Sequence, residues 1–232
     1  MNQAEVMRWL RANASPRTLA GLARYGLPSK GALGVPIGAM LKFAKGKKKD
    51  HALAAALWKT RCYEARILAA MLDDPQLVTR QQMDAWAREF DSWGICDTVC
   101  WHLFYDTPFN WEKARAWSKS PREFIKRAGF AMMAGLVTHD KSASDADFKR
   151  LFPLIEAGAR DERNFVTKGV SWALRRIGTR NLALLDAATK LAAKLAKSTH
   201  PSTRWVGKDA LRALLNPKAR IALEKRVAKT RR

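Results

Sequence analysis

The chain has 232 residues, 47% of them apolar, which suffices for a sizeable packed core and excludes a disordered tail. Lys and Arg number 43 against 21 Asp and Glu, a formal net charge of +22. An excess that large favours a polyanionic partner (duplex DNA, RNA or an anionic membrane surface), the alternative being a generally basic, solvated surface.

Apolar residues recur at three- and four-residue spacing along most of the chain, and no alternating run is followed by a hairpin turn. Helices are predicted over 2–13, 16–26, 36–46, 50–60, 62–72, 79–90, 93–105, 109–118, 121–138, 144–158, 162–179, 181–196, 202–215 and 217–229. The first, MNQAEVMRWLRAN, is polar and amphipathic and lacks the apolar core of a signal peptide. No apolar run approaches the roughly 20 residues of a membrane span, so a cytoplasmic protein without membrane contact is expected. Pro16, Pro75, Pro121, Pro201 and Pro217 each follow or neighbour a capping-type residue and are predicted at the first position of a helix. Residues 26–38 hold the densest Gly and Pro content and read as a loop entering a helix. Gly46 to Asp50 is a basic run exposed between helices. Cys62, Cys96 and Cys100 cannot form a full disulfide framework and read as buried thiols. Four scattered His without ligand spacing leave a metal site unsupported.

Short helices joined by short turns suggest antiparallel pairs, and five or six pairs of roughly 40 residues fit the period of HEAT-type repeats. The expected fold is therefore all-α: a single domain over 1–232, an α-α superhelix or solenoid with a concave basic groove. A compact helical bundle is the alternative.

Three segments carry chemistry. The first, SWGICDTVCWHLFY (92–105), holds one formal charge, Asp97, in an otherwise apolar helix. Trp93, Asp97 and Trp101 are spaced by four and share a face. A carboxylate between two indoles is costly unless something satisfies it: a structural cap or cation, or use in a site. The second, PREFIKRAGFAMMAGLV, places Arg127 three residues from both Phe124 and Phe130, with Lys126 beside it. It reads as a surface cation, or as a partner for Asp97 or a phosphate. The third, ERNFVTKGVSWALRRIGTR (162–180), has a core stripe of Val166, Val170, Ala173, Leu174 and Ile177. A neighbouring stripe carries Phe165, Gly169, Trp172 and Arg176, with Lys168 and Arg175 flanking Trp172. Aromatics interleaved with cations suit a nucleic-acid surface; a core Trp with a solvated basic edge is the plainer reading.

In this order the three segments resemble the DNA alkylation repair glycosylase family of HEAT-like repeat proteins. GVPIGAMLKFAK (34–45) looks like that family's opening motif, and ALWKTRCYEARILAAMLDDP (56–75) like its Leu-Trp to Glu-x-Arg helix. SWGICDTVC is similar to its Trp-x-x-x-Asp element, FIKRAGFAM to its Arg helix and FVTKGVSWALRRIG to its late Trp helix. The likeness spans roughly residues 30–215 and rests on the ordered set. It implies that Trp93, Asp97, Arg127 and Trp172 form a catalytic cleft, with Tyr25 as an aromatic DNA contact; Lys168, Arg175, Arg176 and Lys126, singled out by the cation pattern, are expected to contact DNA as well. The implied activity is hydrolysis of the N-glycosidic bond of cationic alkylated purines, N7-alkylguanine and N3-alkyladenine, in double-stranded DNA. A monomeric, monofunctional glycosylase without metal or organic cofactor is expected. The alternatives are a non-catalytic protein of the same scaffold that binds branched or distorted DNA, and a HEAT-like interaction scaffold for an acidic protein.

Overall fold

The computed structural model describes residues 1–27 and 31–230, the side chains of 219 and 226–230 excepted. All regular structure among the described residues is helical. The chain packs as two compact units, Met1–Phe109 and Asn110–Arg232.

The first unit contains α1 (Gln3–Ala12), α2 (Pro16–Leu22), α3 (Ile37–Ala44), α4 (His51–Lys59), α5 (Tyr63–Leu72), α6 (Arg80–Arg88) and α7 (Trp93–His102). Starts are set by side chains that accept orphan amides of the first turn: Asn2, Ser15, Asp50, Thr79 and Ser92 all do so. Helix α5 is the spine. Every residue from Glu64 to Leu72 is buried, and α1, α3, α4 and α7 pack on it. Burying Ile67, Leu68 and Leu72 there contributes about 1.5–3 kcal/mol each.

The second unit contains α8 (Asn110–Trp117), α9 (Glu123–His139), α10 (Asp145–Lys149), α11 (Phe152–Gly158), α12 (Asn164–Gly178), α13 (Leu182–Ala196), α14 (Pro201–Leu214) and α15 (Pro217–Thr230). Its spine is α9, buried throughout Arg127–Val137 and packed between α8 and α12. The predicted core stripe of α12 is fully buried.

Three expectations are corrected. The single helix over 144–158 is two, α10 and α11. Pro153 has no N–H for the carbonyl of Lys149, and its ring crowds that turn. The helices over 16–26 and 93–105 end early in 3₁₀ turns, Ala23–Tyr25 and Phe104–Asp106; the first closes on Gly26 in the left-handed region, at φ 66°. Pro16, Pro201 and Pro217 open helices, but Pro75 and Pro121 do not. Pro75 sits in a turn closed by the Leu77 N–H on the Asp74 carbonyl, and Ser120 Oγ accepts the amide of Arg122 past Pro121. Residues 28–30 of the predicted loop lie outside the described residues. Gly46 to Lys49 are exposed as expected.

Candidate active site

In the first unit the site begins at the N-terminal end of α5. Glu64 is 1% exposed, and its carboxylate accepts the backbone N–H groups of Leu33 (2.9 Å), Gly34 (2.7 Å) and Val35 (3.3 Å). Gly34 is required: its φ is +74°, and a Cβ there would stand 2.4 Å from the Ser15 carbonyl oxygen. Arg66 covers the Trp58 ring at 4.2 Å and donates to the Glu89 carbonyl (2.7 Å) and the Asp91 carboxylate (3.3 Å). The two charges therefore fix the loop before α3 and the segment before Ser92, the cap of α7. Burial pushes the Cys62 thiol up, which favours its protonated form.

On α7, the Trp93 indole N–H donates to the carbonyl of Tyr25 at 2.7 Å, tying the end of the α2 segment to the start of α7. Tyr25 is 69% exposed. Asp97 follows one turn later, half-buried. Trp101, a further turn on, meets Tyr105 edge-on with ring centroids 5.5 Å apart. Tyr63 reaches the same turn: a Cβ on Gly94 would lie 2.4 Å from its hydroxyl oxygen. Burial, with the carboxylates of Glu64, Asp91 and Asp97, pushes the Tyr63 phenol up to about 12, so it stays a neutral O–H group at physiological pH. Asp97 thus stands one turn from each of Trp93 and Trp101 on α7, close enough to Tyr63 for its charge to act on the phenol.

In the second unit Arg127 is 7% exposed on α9 and donates from Nη1 to the Phe165 carbonyl at 2.6 Å. A Cβ on Gly169 would meet the Arg127 stem at 3.5 Å, an ordinary van der Waals contact. Trp172 is half-buried on the same helix. Lys126 donates to Asp161 at 2.9 Å, and Arg163 clamps that carboxylate through two nitrogens, at 2.9 and 2.6 Å. These bonds hold the Asp161 carboxyl far below the usual carboxylate range. Arg175 Nε lies 3.6 Å from the Asp209 carboxylate, and Arg176 donates to Thr138 Oγ1 at 2.6 Å. Lys168 is exposed and lines a cavity of about 430 Å³ with Trp205. Of the five residues expected to contact DNA, Tyr25 and Lys168 are open, while Lys126, Arg175 and Arg176 are engaged with neighbours.

The structure ties Trp93 to the backbone of Tyr25 in the first unit, with Asp97 one turn along the same helix, and Arg127 to the helix that carries Trp172 in the second. Sequence reasoning passed over Tyr63, Glu64 and Arg66 as individual site residues. Their signal is a pair of opposite charges two residues apart in an otherwise apolar helix, a placement that demands partners. Among the described residues no group of three or more His, Cys, Asp or Glu is placed to hold a metal ion, and no helix is long and apolar enough to cross a membrane.

A family model described as DNA alkylation repair enzyme matches residues 6–214. The chain is also similar to a solved structure described as "a new family of proteins related to the HEAT-like repeat DNA glycosylases with affinity for branched DNA structures". The TM-score is 0.76, with 20% identity over 93% of this chain and 96% of the other. That likeness carries the fold, all-helical and HEAT-like as expected from the sequence. Comparison with curated proteins found no match.

Proposed function

The chain belongs to the DNA alkylation repair enzyme family, and from that premise we propose that it is a monofunctional DNA glycosylase releasing cationic N7-alkylguanine and N3-alkyladenine from duplex DNA in the cytoplasm. The observation that carries the reading is the α7 face: Trp93 locked to the Tyr25 carbonyl, with Asp97 one turn on. A positively charged base is already a good leaving group, so no general acid is needed. As the bond from C1′ to the base nitrogen breaks, its electron pair leaves with the base and neutralises it. The sugar becomes oxocarbenium-like. The Asp97 carboxylate stabilises that cation and orients a water, whose oxygen bonds to C1′ and whose proton passes to Asp97 and then to solvent. Trp93 and Trp172 pack on sugar and backbone. Arg127, oriented by the Phe165 carbonyl, holds a phosphate. Lys168 and Tyr25 meet the strand directly, whereas Lys126, Arg175 and Arg176 act mainly through their charge and their packing. One monomer suffices for the activity.

The test is release of free base from duplex DNA carrying one N7-methylguanine. Release above the rate of spontaneous depurination is expected. No release would sink the reading.

A second reading is favoured by the similarity to proteins with affinity for branched DNA: a binder of branched or distorted DNA without chemistry. It predicts tighter binding to a four-way junction than to a duplex, and no dependence on the Asp97 carboxylate.

A further inference from the structure

We propose that the cavity at the start of α4, lined by Lys47, Lys48, Lys49 and His51, binds phosphates of the DNA backbone as a second anchoring site one helix length from the α7 face. The inference rests on DNA being the ligand of the chain, and it adds a site that the cleft residues do not include.

The cavity measures about 740 Å³ and includes Met1, Leu53 and Leu77 in its walls. Its cations are held in place. Lys49 Nζ donates to the Met71 carbonyl at 2.7 Å. The Lys47 ammonium lies 4.4 Å from the centroid of the Phe43 ring, which stacks on Trp9 at 4.1 Å. Lys48 is exposed between them.

His51 is oriented from behind. Its Nδ1 meets Asp73 Oδ1 at 2.7 Å, and the fully buried Asp73 also accepts from Gln82 Nε2 and from the Asp74 amide, both at 2.8 Å. That leaves Nε2 as the ring's remaining polar atom.

The acidic residue in the lining, Asp50, is committed to the helix start, where Oδ1 accepts the Leu53 amide at 2.9 Å. Three permanent cations therefore face one carboxylate already in use. The space exceeds what one small anion fills. DNA presents one charge per roughly 3.4 Å of axis on each strand, so a loop of three lysines spans about two or three successive phosphates.

Position supports the same ligand. The Asp50 amide donates to the Leu72 carbonyl at 2.8 Å, so the loop sits at the C-terminal end of α5. Tyr63, beside Gly94 of α7, sits at the N-terminal end. Ten residues at about 1.5 Å each separate the two positions by roughly 15 Å. That is comparable with the roughly 12 Å width of a major groove.

The test compares binding of the full chain to unmodified duplex DNA across a salt series. The variant is Lys47→Gln with Lys48→Gln; Lys49 is kept because it holds the α5 terminus. A Lys190→Gln, Lys197→Gln chain carries the same change in net charge away from the loop, and thermal melts verify folding of both. The slope of log affinity against log salt is expected to fall by about 1–2 in the loop variant, at about 0.9 for each phosphate that is no longer neutralised. A slope unchanged, or reduced no more than in the control, overturns the inference while leaving DNA binding intact. A wild-type chain without affinity for DNA overturns the reading beneath it as well.

Discussion

Gly94 shows how a single missing methyl group shapes the candidate site. A Cβ there would meet the Tyr63 hydroxyl at 2.4 Å and Leu27 Cδ2 at 2.7 Å. Gly94→Ala is expected to cost about 1–3 kcal/mol by overpacking. Tyr63→Phe removes the clashing oxygen, so the double variant is expected to recover part of that loss in a double-mutant cycle of denaturant midpoints. Additive losses would place the phenol elsewhere. Asp161 makes a pH-dependent prediction. Its carboxyl is depressed in the folded chain by Arg163 and Lys126, so its stabilisation is complete above the unfolded value, near 3.9, and drains away as pH falls below that. Asp161→Asn is expected to be less stable than wild type at pH 6, with a gap that narrows below about pH 4. A constant gap from pH 6 to pH 3 would contradict the pairing. The spacing of Trp93 and Asp97 was legible in the sequence because it is a local property of a helix. The reason for Gly94 was not, because the atom it makes room for belongs to Tyr63, 31 positions earlier.

The helices themselves were largely readable. Asn2, Ser15, Asp50, Ser92, Ser144 and Asn181 each precede an apolar periodic run and each caps the helix that follows. The splitting of 144–158 was missed because the apolar rhythm continues through Pro153 although the backbone bonding does not. Helix packing was less readable, because it depends on small residues whose partners lie on other helices. A Cβ on Gly207 would come within 2.1 Å of the Ala196 backbone nitrogen, and one on Gly129 within 2.2 Å of the Ser118 nitrogen. Backbone cannot swing aside as a side chain can. Gly207→Ala is therefore expected to push α14 off α13, and Gly129→Ala to push α9 off α8, each lowering stability by about 1–3 kcal/mol. Gly38→Ala, where nothing lies within 4 Å, is the control. Equal melting temperatures for all three would refute the close packing.

At the scale of the whole molecule, the net charge of +22 pointed to a polyanion without saying which one. The order of five short motifs pointed to the family, which the match over residues 6–214 establishes. The roles of Glu64 and Arg66 needed the fold, since each reaches segments more than twenty residues away: Glu64 to 33–35, Arg66 to 89–91. The engagement of Lys126, Arg175 and Arg176 was also hidden, because a sequence gives the sign of a charge and not its partner. The central claim concerns the chemistry of one carboxylate. It is tested most directly by Asp97→Asn, with release of N7-methylguanine and affinity for the same duplex measured side by side. Loss of release by about 10²–10³-fold, with affinity unchanged, is the result the glycosylase reading predicts. Release that survives the substitution, or a wild type that binds the duplex and releases nothing, would contradict it.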